Sequence, residues 1–166
     1  MTAIFYLSAA IAIIATFMVV SRAHAVHALL YLVVSLLAIA LVFYTLGAPF
    51  AAALEVIVYA GAIVVLFVFV VMMLGLGKDE TLAGAPWLQP RNWLGPALLS
   101  TALLAQLAYV LFAAPEGGHA AERVIEAKEV GIRLFGPYLL AVELASLLLL
   151  AALVAAYHVG RRPRER

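Results

Sequence analysis

Residues 55–74 read Glu-Val-Ile-Val-Tyr-Ala-Gly-Ala-Ile-Val-Val-Leu-Phe-Val-Phe-Val-Val-Met-Met-Leu, and after Glu55 no charged side chain follows until Lys78. As a helix this stretch crosses about 30 Å, the hydrocarbon thickness of a bilayer. Backbone polar groups in lipid must be satisfied within the segment, so a run of this kind dictates a transmembrane helix. Three of its residues are not ordinary membrane filler. Glu55 is ionisable and costs a few kcal/mol in lipid unless it faces protein or water. Tyr59 follows at i+4, the same face of an α-helix, so its hydroxyl is placed to share a polar track with that carboxylate. Gly61 weakens a helix by about 1 kcal/mol relative to alanine.

The rest of the chain is of the same character. Of 166 residues, 67% are hydrophobic and 11% charged, well under the charged share of about 25% usual in soluble domains. These proportions leave too little polar surface for a soluble protein and give an all-α integral membrane protein. The absence of cysteine excludes disulfides, thiolate metal sites and cysteine-bound iron–sulfur clusters. Net charge is +1, and the basic residues fall in loops and the tail, which argues against nucleic acid as a partner. No nucleotide-binding glycine loop is present.

Five transmembrane helices are expected, over about 2–20, 26–46, 51–76, 93–113 and 137–158, in a single membrane domain covering 1–166. The first is not read as a cleaved signal peptide, although Ala23-His24-Ala25 has a small-x-small pattern, because no basic residue precedes it. Gly47-Ala48-Pro49 is a turn, and Gly75 with Gly77 closes the third span. Trp87 and Trp93 are expected to anchor at the interface. A small-residue stripe in the fourth span (Ala97, Thr101, Ala105, Ala108) would admit another helix closely. A short surface helix is expected over Ala120–Val130, and Pro137 is suited to be the first residue of the last helix. With the arginine tail inside, Arg22, Lys78, Arg91, Arg161, Arg162, Arg164 and Arg166 face the cytoplasm, against Arg123, Lys128 and Arg133 outside. The positive-inside bias thus puts the N-terminus outside.

Each singled-out residue has two readings. Glu55 and Glu143 are either interfacial carboxylates or parts of a proton path. Gly61 is either a helix-packing residue or the weak point of a π-bulge. His24, His27 and His158 share the inner side, but their spacing does not suit opposed haem ligation, and interfacial edge residues are the expected reading. Met72 and Met73 are read as packing, and Ser146 as a helix-to-helix hydrogen bond. No catalytic constellation is found.

The 55–74 stretch closely resembles the third helix of the subunit J family of bacterial respiratory complex I, also called the NADH dehydrogenase subunit 6 family. Val26-His-Ala-Leu-Leu-Tyr-Leu32 and Leu134-Phe-Gly-Pro-Tyr-Leu-Leu-Ala-Val-Glu-Leu-Ala-Ser146 agree with it too, and the similarity runs over about residues 22–160. The resemblance implies a subunit of the membrane arm in the bacterial inner membrane, N-terminus periplasmic and C-terminus cytoplasmic. It implies no cofactor in this chain, with flavin, iron–sulfur clusters and quinone held by other subunits, and chains A, H, K and N as partners in membrane lipid. It also implies a π-bulge near Tyr59–Gly61, over Tyr59, Ala60, Gly61, Ala62 and Val65. That bulge would relax to α-helix and turn the following half, with Phe67 and Met72 as gates. The alternatives are the equivalent subunit of an ion-translocating hydrogenase or antiporter complex, and an independent homo-oligomeric transporter.

Overall fold

The computed structural model describes residues 2–22, 24–74, 90–112 and 124–161, of which the side chains of 90–92 are not described. Its elements are all helical: α1 (Thr2–Ser21), α2 (Ala25–Thr45), α3 (Pro49–Leu54), a π segment (Glu55–Ile63), α4 (Val64–Met73), α5 (Pro90–Phe112), α6 (Ala127–Leu134) and α7 (Leu139–Gly160). α3, the π segment and α4 run on as one span, Pro49–Met73, and among the described residues five helices are long and apolar enough to cross a membrane. Observed and expected spans agree to within three residues at every end. The third helix stops at Met73; Gly75 and Gly77, expected to close it, lie outside the described residues, as does Trp87.

The chain divides into two compact units, residues 1–125 and 126–166. In the first, α1 and α2 form a closely packed pair. Ile11, Ala12, Ala15, Val34, Ala38 and Leu41 make its core, and Leu103 of α5 joins them. Ser8, Ala15 and Ala38 are fully enclosed; small side chains let the backbones approach, which is how helices associate where lipid is as apolar as leucine. Polar pairs sit inside this apolar contact. Thr16 Oγ1 and Ser35 Oγ lie 2.7 Å apart, Ser35 Oγ also donates to the Ala12 carbonyl at 3.3 Å, and Ser8 Oγ donates to Gln106 Oε1 at 2.7 Å. Lipid offers no competing partner, so these bonds fix the facing of α1 against α2 and α5.

α2 ends in a Schellman turn. Gly47 has φ 78°, its N–H donates to the Tyr44 carbonyl, and the Ala48 N–H reaches back to Phe43, both at 3.0 Å. A Cβ at Gly47 would be strained at this φ, and Pro49 follows as an N-terminal helix residue. The Gly47 carbonyl accepts from the Ile125 N–H at 2.8 Å.

Several expectations are corrected. Of the stripe Ala97, Thr101, Ala105 and Ala108, the first three are exposed and Ala108 is half-buried, so it is not the face α5 buries among the described residues, which holds Pro96, Leu103, Gln106 and Val110. Thr101 Oγ1 bonds its own helix, at the Ala97 carbonyl. Ser146 likewise bonds the Glu143 carbonyl of its own helix at 2.7 Å, and links no helices. Pro137 is not the first helical residue of α7. Tyr138 N–H donates to Arg133 and Leu139 N–H to Gly136, so 135–138 form the turn between α6 and α7; proline is tolerated there because it has no N–H to satisfy. The short helix falls at Ala127–Leu134 rather than over 120–130, with Glu129 in its first turn and Arg133 in its last, the charge order a helix dipole favours. Residues 120–123 lie outside the described ones.

Candidate functional site in the third span

Nine consecutive residues, Glu55–Ile63, adopt π geometry within an otherwise α-helical span. Each N–H then bonds a carbonyl five residues back rather than four. At the Val64 cap the backbone N–H is directed at the carbonyls of Tyr59, five back, and Gly61. Tyr59, Ala60, Gly61 and Ala62 all fall inside the segment, whereas Val65 lies just beyond it in α4.

Gly61 has a local reason to be glycine here. A Cβ on it would stand 3.2 Å from the carbonyl oxygen of Val56, five residues back, and no atom of a neighbouring helix comes closer. That oxygen is the acceptor that π pairing assigns to the Gly61 N–H. Within the chain the nearest atom to such a Cβ is thus this backbone oxygen of Gly61's own span.

Glu55 and Tyr59 part company. Glu55 is 9% exposed and is the one buried residue of the segment, whereas Tyr59 is 52% exposed. No hydrogen bond joins them, so the shared polar track expected from i, i+4 spacing is not formed. Glu55 lies six residues, about 9 Å, inside the start of its span. Glu143, four residues into α7, is exposed and belongs to the second unit.

Beyond the segment, α4 buries only Val64; Phe67 and Met72 are both exposed. In a membrane subunit such faces meet lipid or other polypeptides.

At the opposite end of α2 lies a cluster that sequence reasoning did not find. The Arg22 guanidinium stands 5.4 Å over the Tyr31 ring, and its Nη2 donates to the Tyr31 hydroxyl at 3.4 Å. Gly95 of α5 presses on that hydroxyl so closely that a Cβ there would collide with it. His24 and His27 rings are 5.9 Å apart, and His27 meets Trp93 edge-on at 6.2 Å. No group of three or more His, Cys, Asp or Glu is arranged to hold a metal among the described residues. The only sequence hint was the crowding of Arg22, two histidines and Trp93 at helix ends.

Five spanning helices, with a π segment in the third, define a multi-pass integral membrane protein. The chain belongs to the NADH-ubiquinone/plastoquinone oxidoreductase chain 6 family, whose model matches residues 15–159. It is 57% identical to NADH-quinone oxidoreductase subunit J of Pseudomonas aeruginosa over 162 residues, 98% of each chain. It is 58% identical to subunit J of Escherichia coli strain K12 over 160 residues, 96% of this chain and 86% of that one. Subunit J from Buchnera aphidicola of Schizaphis graminum is 50% identical over 97% of this chain and 98% of its own.

Proposed function

We propose that the chain is a non-catalytic membrane-arm subunit of a proton-pumping NADH:quinone oxidoreductase, in which the third span couples quinone reduction to proton translocation. The observation that carries this is the π segment over Glu55–Ile63, in which a Cβ on Gly61 would stand 3.2 Å from the Val56 carbonyl oxygen. Reverting π to α pairing moves the register by one residue, which turns everything after it by about 100°. Phe67 and Met72 ride on that half, and Val64 is the one residue of α4 that the turn would have to draw out of a buried position. A turn of this size exchanges which side chains face a neighbouring water path. Family membership supports placing the chain beside other subunits of the complex, which we take to be chains A, H, K and N, in the bacterial inner membrane. Flavin, iron–sulfur clusters and quinone are then held elsewhere in the assembly, and this chain contributes motion rather than a redox group. We assign the N-terminus to the periplasm and the C-terminus to the cytoplasm from the basic-residue asymmetry.

Affinity purification through a tag on this chain tests the assignment. The expected product is a large assembly containing flavin and iron–sulfur clusters that oxidises NADH and reduces quinone. Recovery of a homo-oligomer, or of an assembly that oxidises hydrogen and not NADH, would replace it.

A further inference from the structure

The third span buries one narrow stripe. Ala52, Glu55 and Val64 are buried and Ala60 and Gly61 half-buried, while every other residue from 53 to 70 is exposed. The span packs chiefly on α2, so the stripe is its side toward that helix. From Glu55 the stripe steps five residues to Ala60, the repeat of π pairing. An α-helix would step four, to Tyr59, which instead stands exposed in this register.

Glu55 is the odd member of the stripe. Its side chain is enclosed, yet among the described residues no hydrogen bond or ion pair reaches its carboxyl. The helix it faces carries no Asp, Glu, Lys or Arg. The hydroxyls of Tyr31, Ser35 and Thr45 on that helix are engaged with Arg22, with Thr16 and the Ala12 carbonyl, and with the Val42 carbonyl. A buried carboxyl left without a partner is costly whichever form it takes, so the π register leaves the third span with an unmet demand at this one place.

We propose that Glu55 is the latch of the α register, where its carboxyl accepts a hydrogen bond from the Tyr59 hydroxyl; this rests on the reading of the third span as a switch. With the turn at Glu55 held, α pairing passes each later place in the stripe to the residue one earlier, so Tyr59 takes the place of Ala60 and Ile63 that of Val64. Aromatic side chains in an α-helix lean back toward the N-terminus, over the residue four earlier. That lean carries the Tyr59 hydroxyl over Glu55. The tyrosine ring is far bulkier than the alanine methyl it displaces, which opposes the change; the new hydrogen bond offsets that cost. Tyr59 therefore has two places, outward in the π register and over Glu55 in the α register. A contact made in only one of two forms is what biases an equilibrium between them.

The test uses the assembled complex in membranes with Val68→Cys as reporter, a position exposed on α4 beyond the π segment. Labelling of the α4 peptide by a thiol reagent is followed by mass spectrometry, at rest and during turnover with NADH and quinone. Turnover is expected to change the labelling rate. An unchanged rate in this reporter complex overturns the switch itself, and the latch with it. With a turning span, Tyr59→Phe and Glu55→Leu should each cut the turnover-dependent change about fivefold, the scale of one net hydrogen bond. The double variant should do no worse than either single one, because each removes the same bond. Glu55→Gln, whose amide oxygen still accepts from the hydroxyl, should keep most of the change, which separates pairing from lost packing. Losses that multiply to about twenty-five-fold in the double variant overturn the latch and leave the switch standing. An unaltered change in Tyr59→Phe does the same, and that variant alone decides if Glu55→Leu does not assemble on a native gel.

Discussion

Adding a side chain at Gly61 perturbs the π segment at a point where the backbone stands close. In the π form a Cβ there sits 3.2 Å from the Val56 oxygen, a few tenths of an ångström inside ordinary contact. In the α form pairing passes to the residue four back, and the Val56 oxygen is no longer the facing acceptor. The general advantage of alanine over glycine acts through the unfolded chain, so it cancels between two folded forms of one helix. Only the crowding remains. We assign about 0.5 kcal/mol to alanine, roughly a twofold shift toward the α form, from the scale of a mildly strained contact. Valine adds a branched Cβ with one favoured helical rotamer, and its methyls meet the same turn; about 1.4 kcal/mol, a tenfold shift, follows. Gly61→Ala and Gly61→Val complexes should both assemble on native gels and oxidise NADH with an artificial acceptor at the parental rate. Quinone reduction coupled to pumping in inverted vesicles should fall about twofold for alanine and about tenfold for valine, tracking those populations. Parental pumping by an intact valine complex, or equal damage from both substitutions, would refute the reasoning.

Four further outcomes are expected. Glu55→Gln should lower coupled turnover by a modest factor and Glu143→Gln by less, because both carboxylates lie shallow in their spans; complete loss of pumping in an assembled Glu55→Gln complex would make Glu55 a relay. Gln106 Nε2 is buried without a partner, so Gln106→Leu should be near neutral in thermal unfolding of the complex, whereas Ser8→Ala strands the whole amide and should cost about 1–2 kcal/mol. Gly95→Ala drives a methyl into the Tyr31 hydroxyl and should destabilise by about 1–3 kcal/mol, with Tyr31→Phe restoring part of it in the double substitution; no restoration would mean that another contact is at fault. Single cysteines at Gly118 and Arg164, both outside the described residues, should label from opposite sides of intact membranes; labelling of both from one side would contradict the assigned orientation.

The spans were legible because lipid imposes length and apolarity on any helix that crosses it, and the turn at Gly47 because a helix end followed by Gly-Ala-Pro has few alternatives. The packing faces were not. In a soluble helix the apolar stripe marks the buried side, but every side of these helices is apolar, so hydropathy does not distinguish Leu103 from Leu104. The small-residue rule pointed to Ala97, Thr101, Ala105 and Ala108, of which only Ala108 is half-buried, whereas Gln106 was drawn inward by a hydroxyl on Ser8, 98 residues away. Ser146 and Pro137 failed for local reasons: a hydroxyl prefers a carbonyl of its own turn, and the chain needed the residues before Leu139 for a connection. At Gly61 the residue alone left two readings open. The distance to Val56 bears on the backbone reading, and such a distance exists only once the backbone has a register.

Of the nine residues in the π segment, only Glu55 is buried by the rest of the chain. On the proposed switch, the free-energy difference between the two registers therefore rests little on the described contacts of this chain. A neighbour shifts an equilibrium only by as much as it prefers one form over the other, so the molecules seated against residues 56–63 hold most of the equilibrium constant. In mechanical terms the proposed switch makes the span a driven shaft: work done elsewhere would be delivered to it through contact, and severing those contacts would leave the shaft whole and idle.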